Sequence, residues 1–274
     1  MYYSFPIGDE FTVVVGPRVR MDDMLPVWPS AYPSSMTYDF FTYAGAPGAY
    51  NLALGAGAGV YWKSDDFSIS TSYLSVNGNN SCPNTEVCGE LAGGIGTDTA
   101  AFSATTQIAY APENWGIAAA YTKASGNSDK LYVGNANRKG VKISGLGEQT
   151  NSWGLSAWWM PEESGWVPSI STGVGMTYAD APGDDEESAS WYVGLEWDDV
   201  FLEGNSFGMA VGQPTFDTDS DRGNGYAWEF FYKFQVTDNI SVTPAIHYLS
   251  KPFPSQDSDG LNALSGLIKT QFKF

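Results

Sequence analysis

The chain has 274 residues, with 13 Lys+Arg against 31 Asp+Glu and a formal net charge of −18; 15% of residues are aromatic and only 16% are charged. A chain this aromatic and this poor in charge is not intrinsically disordered. Its acidity argues against nucleic acid as a partner, because phosphate binding needs a basic surface. No run of about 18 apolar residues is present to form a transmembrane helix. Met1-Tyr2-Tyr3-Ser4-Phe5-Pro6 lacks the basic region and apolar core of a signal peptide, so the sequence is expected to begin inside a longer chain.

Alternation at a period of two recurs along the whole sequence, and a helical period almost nowhere. In chain order the predicted strands are 2–5, 10–19, 50–63, 67–76, 99–111, 115–123, 150–160, 168–178, 188–197, 206–213, 225–235, 240–249 and 262–274. In 67–76, Phe67, Ile69 and Tyr73 alternate with Ser68, Ser70 and Ser72. In 168–178, Ile170, Val174, Met176 and Tyr178 alternate with Ser171, Gly173, Gly175 and Thr177. In 225–235, Tyr226, Trp228, Phe230, Tyr232 and Phe234 face away from Ala227, Glu229, Phe231 and Lys233.

Most of these strands exceed the five or six residues usual in globular sheets, and a strand tilted by about 45° needs roughly 9–11 residues to cross a bilayer. Their connections fall into a short set (7–9, 63–66, 112–114, 161–165, 198–204, 237–239) and a long set (20–49, 77–98, 124–149, 179–187, 214–224, 250–261), alternating strictly. A transmembrane barrel alternates in this way because its turns collect on one rim and its loops on the other. The expected fold is therefore an all-β, transmembrane antiparallel β-barrel. Its aromatic and aliphatic row faces lipid, and its Gly, Ser, Thr and Ala row faces a wet lumen, the reverse of a soluble core. Pro244, in the middle of 240–249, predicts a bulge or a shorter strand there.

The last strand ends with Leu264, Gly266, Ile268, Thr270, Phe272 and Phe274 on one face, opposite Ser265, Lys269, Gln271 and Lys273. This resembles the terminal signal by which outer-membrane barrels are recognised for assembly. Three further stretches, Gly16–Ser30, Tyr43–Leu52 and Ile108–Tyr121, resemble the cyanobacterial outer-membrane porins of the Som group, relatives of the carbohydrate-selective OprB-type porins, and the resemblance runs over essentially the whole chain. It implies an integral outer-membrane barrel of about 16 strands. It also implies a homotrimer and an upstream surface-layer-homology domain and coiled coil that tether the barrel to peptidoglycan. Residues 1–274 then form a single barrel domain without about the first three strands, the tether and the signal peptide. The alternative is a complete barrel of twelve strands with residues 1–8 peripheral. The implied function is passive passage of inorganic ions, iron among them, with sugars as the related family's substrate. A secreted carbohydrate-binding β-sandwich and an outer-membrane hydrolase using His247 are the readings from other classes.

Arg18 and Arg20 share a predicted face with Thr12, Gly16 and Asp22, opposite Val13, Val15, Val19 and Met21. Both guanidinium groups are therefore expected in the lumen, just before the long loop 20–49. There they serve either as a basic constriction or as ion pairs, with Asp22 and Asp23, that staple the loop to the wall. Glu229, Lys233, Lys269 and Lys273 are the other expected pore-lining charges. His247 stands without a second metal ligand, and no metal or other cofactor is expected. Cys82 and Cys88 are expected to pair, because an oxidising cell exterior favours a small disulfide-closed loop. Asp217–Gly225 lacks the glycine and glutamate that a calcium loop needs; with Asp184–Glu187 and Asp257–Asp259 it is expected to make the outer rim acidic.

Overall fold

The computed structural model describes residues 1–33, 38–80, 82, 84–125, 132–133, 141–142, 149–163, 165–180, 186–218, 225–251 and 261–273. Its strands are β1 (Tyr3–Ile7), β2 (Phe11–Arg20), β3 (Leu54–Ser64), β4 (Phe67–Ser75), β5 (Phe102–Tyr110), β6 (Trp115–Ser125), β7 (Tyr132–Val133), β8 (Val141–Lys142), β9 (Gln149–Trp159), β10 (Ser169–Asp180), β11 (Glu186–Asp198), β12 (Ser206–Asp217), β13 (Ala227–Thr237), β14 (Ile240–Ser250) and β15 (Asn262–Phe272). Thirteen of them form one meander, each antiparallel to the next, and β7 and β8 make a separate ribbon. The helices are single turns, α1 (Asp39–Thr42) and α2 (Thr85–Cys88).

The two faces are inverted relative to a soluble protein. On β4, Ser68, Ser70 and Ser72 are buried while Ile69 is 40% exposed. On β13, Ala227, Glu229 and Phe231 are buried while Trp228 and Phe230 are exposed. A row of serines has no hydrophobic reason to be inside unless the outside is lipid. The outer face is banded accordingly. Ring pairs Trp62–Phe67, Tyr110–Trp115, Trp197–Phe207 and Tyr232–Phe234 ring the short-turn end. Tyr73–Phe102, Tyr121–Trp153 and Trp191–Tyr226 ring the long-loop end. Ile69, Ile108, Ile117, Leu155, Val174 and Ile246 fill the exposed band between. These are the two interfacial girdles and the apolar waist of a membrane barrel.

Four expectations are corrected. First, connections 160–168 and 199–205 are longer than 181–185, because β10 and β11 run on past their predicted ends to the pair Ala179↔Glu186. Second, the register slips between Gly16 and Val19, so Pro17 and Arg18 both stand opposite Ala56. Such a bulge flips every later residue to the other face. Val19 and Met21, expected to face lipid, are buried with Val14. Third, Pro244 produces no slip in β14. Its ladder to β13 skips Tyr232 and Lys233, while its ladder to β15 continues through Pro244↔Ile268. Fourth, Arg20, expected in the lumen, stands opposite Leu54 on the outward face. The predicted strand 2–5 is found as β1, paired with β2 from Tyr3↔Val15 to Ile7↔Phe11, which does not fit the alternative with residues 1–8 peripheral. Phe274 and the acidic residues Asp184, Asp185, Asp219, Asp221, Asp257 and Asp259 lie outside the described residues.

Candidate permeation site

In the connection between β2 and β3, residues 21–33 and 38–53 fold inside the sheet. Val27 and Ala31 pack against Ala109, Ala118 and Trp158. Tyr32, Tyr38, Phe40 and Phe41 then reach Tyr192, Ala210, Ala227 and Phe231 on the far wall. The return leg, Ala44, Ala46, Ala49 and Tyr50, comes back to Ala120 and Leu74. The loop therefore crosses the interior and returns, lining β4 to β14 from within.

The wall is shaped to receive it. A Cβ on Gly173 would lie 1.9 Å from the carbonyl oxygen of Ala44, and one on Gly175 would lie 2.7 Å from Cα of Ala46. Gly194 leaves the same kind of room for the Tyr32 ring. The inward hydroxyls bind loop backbone. Ser171 Oγ accepts from the amides of Ala31 (2.9 Å) and Tyr32 (3.0 Å). Ser190 Oγ donates to the Gly45 carbonyl (2.8 Å), and Thr122 Oγ1 to that of Ala49 (2.7 Å). The small polar face, expected to line a wet lumen, is over this stretch a seat for the protein's own loop.

Glu229 is the centre of that seat. Its side chain is 0% exposed. Oε1 accepts from the Tyr32 hydroxyl (2.8 Å), and Oε2 accepts from the Tyr38 amide (2.9 Å) and lies 2.9 Å from His247 Nε2. Burial, followed by the charge of Glu229, holds the Tyr32 hydroxyl well above the ordinary tyrosine pKa. Burial pushes the Tyr50 hydroxyl up as well, against the hydrogen bond from Gln107. Glu229, expected to line the pore, is instead buried under the loop that it anchors.

The other expected pore residues divide between two levels. At the long-loop end, Arg20 stands opposite Leu54, on the face away from Val19, and makes a bidentate ion pair with Asp22. Its amide donates to Asp23 Oδ2 (2.9 Å). Arg20, expected in the lumen, is thus on the outward side of the β2 end, where Asp22 holds it. Arg18 is exposed and borders a cavity of about 1220 Å³ with Tyr43, Asn51, Ala53, Gly57 and Asn79.

Toward the short-turn end, Lys233 stands opposite Ser206 and interacts electrostatically with Glu196 and Asp198. Lys269 is half-buried opposite Thr243, and Lys273 lies just past β15 with its amide on Asn239 O. These charges therefore do not form one ring with Arg18 and Arg20. Cys82 and Cys88 are disulfide-bonded, with Cα atoms 6.3 Å apart. Asn77, not singled out in the sequence, holds the same outer loop through the Ala92 and Thr99 carbonyls and the Ala101 amide.

A long antiparallel meander with a greasy outside, two aromatic girdles and its own loop folded within is the architecture of a porin, a channel and not an enzyme. Residues 41–274 match the family described as carbohydrate-selective porin, OprB family, and the chain belongs to it, a family of outer-membrane barrels. OprB of Pseudomonas putida superposes with a TM-score of 0.62 at 15% identity, over 97% of this chain and 70% of that one. An anion-selective porin from Comamonas acidovorans superposes with a TM-score of 0.58 at 12% identity, over 87% of this chain and 63% of that one. At these identities the likeness concerns the fold. Among curated proteins, an uncharacterized protein of Nostoc sp. (strain PCC 7120) is 28% identical over 84% of this chain and 40% of its own length. One of Synechocystis sp. (strain PCC 6803) is 26% identical over 100% of this chain and 53% of its own length. The chain spans about half the length of the curated relatives it matches.

Proposed function

We propose that this chain forms the wall and inner loop of a passive outer-membrane channel for small hydrophilic solutes, sugars foremost. The observation that carries the reading is the inverted sheet with residues 21–33 and 38–53 seated inside it. Lipid is excluded by the wall, and the free face of the loop narrows the path. No bond is made or broken; passage depends on size, hydrogen bonding and charge. Sugars fit the family's description. They also fit the cavity where Tyr43, Asn51 and Asn79 offer uncharged polar groups beside Arg18.

Inorganic cations, iron among them, are the second reading, favoured by the net charge of −18, which concentrates cations near the surface. The edges of β1 and β15 pair with no further strand among the described residues. An open edge in lipid is costly, so closure is assigned to additional strands, with trimerisation and a peptidoglycan tether following the family resemblance. The test is liposome swelling and planar-bilayer conductance of the protein at its full natural length. Swelling in monosaccharide solutions supports the sugar reading. Conductance with strong cation selectivity and no swelling replaces it by the second, and an absence of both refutes the channel.

A further inference from the structure

Two of the short-rim connections, 160–168 and 199–205, differ from the tight turns 65–66 and 238–239 in carrying large exposed apolar side chains. Trp166 is 98% exposed and Phe201 90%, with Val167 and Leu202 beside them in sequence and also exposed. Phe201 holds a left-handed backbone with φ 65°, a conformation that costs a bulky residue energy. Yet its ring is presented outward and not buried.

Both connections turn toward the lipid side of the wall. The carbonyl of Trp166 accepts from the indole of Trp197 (3.0 Å), and the Phe201 ring lies 6.2 Å from that of Tyr232. Trp197 is followed in space by Phe207, and Tyr232 by Phe234, within the girdle at this end. The exposed patch is thus continuous with the lipid-facing girdle below β9–β13.

We propose that residues 160–163, 165–168 and 199–205 form an interfacial anchor. In it Trp166, Val167, Phe201 and Leu202 insert into the headgroup–acyl boundary of the leaflet on the short-turn side. Aromatic rings with an apolar body and a polar or polarisable edge partition to that boundary. Glu162, Glu163, Asp199 and Glu203 in the same connections stay at headgroup level, where their charge favours zwitterionic, ammonium-bearing lipids over anionic ones. The anchor is confined to one sector, because the tight turns elsewhere on this rim carry no such group. The inference rests on the membrane placement of the barrel and not on what passes through it.

The test uses nitroxide labels at Trp166→Cys and Phe201→Cys, attached after folding with Cys82–Cys88 left oxidised, in vesicles of a zwitterionic phospholipid. Glu163→Cys is the aqueous reference and Phe234→Cys the lipid reference. The ratio of oxygen to nickel-chelate accessibility at 166 and 201 should be several-fold above that at 163 and close to that at 234. Ratios matching 163 overturn the anchor and mean that the patch faces water, as a protein-docking surface would. If the cysteine variants fail to fold, Trp166→Phe keeps an aromatic ring and decides the matter with acyl-brominated lipids. Loss of about a tenth of the total emission, one tryptophan of ten, with the loss falling in the lipid-quenchable part, supports insertion. Loss of unquenched emission instead overturns it. Conductance recorded on the same samples should be unchanged, and its absence would bear on the channel alone.

Discussion

Replacing Glu229 by alanine should free the inner loop from the wall without opening the sheet. The substitution strands three groups that now use the carboxylate: the Tyr32 hydroxyl, the Tyr38 amide and the His247 ring. Each buried polar group left without its partner costs about 1–3 kcal/mol, and hydrogen bonds to a charged acceptor lie at the upper end. Water entering the space offsets part of this, leaving about 3 kcal/mol. That is roughly a 150-fold shift from the docked toward the undocked loop. The β12–β13 and β13–β14 ladders are backbone pairings and persist. Single-channel recording should show larger or noisier conductance, and protease should cleave within 21–53, while the barrel still migrates as a folded, heat-modifiable species. Glu229→Gln, which keeps an acceptor, should fall between. Unchanged conductance together with full protease protection in Glu229→Ala would refute the anchoring argument.

The remaining expectations concern other parts of the same assembly. Gly173→Val should displace the inner loop near Ala44 and alter conductance, measured in planar bilayers, because even a Cβ has no room there. Asp22→Ala should leave the reversal potential in a salt gradient unchanged, because the Arg20 it pairs with faces away from the lumen. Arg18→Ala, which removes the charge bordering the cavity, should shift it toward cations, an effect that fades at high salt because Arg18 is exposed. Reduction of Cys82–Cys88 should loosen only the outer loop, seen as local protease sensitivity at unchanged barrel mobility, since so small a ring constrains roughly 2–3 kcal/mol of chain entropy. Ultraviolet titration should find Tyr32 and Tyr50 silent up to alkaline unfolding. Their raised pKa values leave stability intact below about pH 10, and stability falls as pH rises further, because only the unfolded chain can release those protons.

The strands were legible because each carries its own period of two, visible within about ten residues. All thirteen strands of the meander overlap the predicted ones, with ends differing by up to a few residues. The bulge at Pro17–Arg18 was not legible. Gly16-Pro17 carries the same kind of bulge signal as Pro244, yet of the two only Pro17 brought two residues to face one, and that single slip moved Val19 inward and Arg20 outward. The inner loop was harder still. Its anchors join residues far apart in sequence, Tyr32 with Glu229 and Ser30 with Tyr192, and the loop has no repeat of its own. One local signal pointed to it. Gly154, Gly173, Gly175, Gly194 and Gly212 recur on inward positions, where open water would tolerate any small polar residue. A row of bare backbone makes sense there only if another chain segment must come close.

That row has a practical meaning for anyone reshaping the pore. On the proposed reading, selectivity resides on the free surface of 21–33 and 38–53, and the wall beneath acts as its mould. Grafting this segment into a foreign barrel would carry permeation behaviour along only if the glycine track and a carboxylate at the position of Glu229 travel with it. Without them the insert would fold as a loose flap, and the host would keep its own bore.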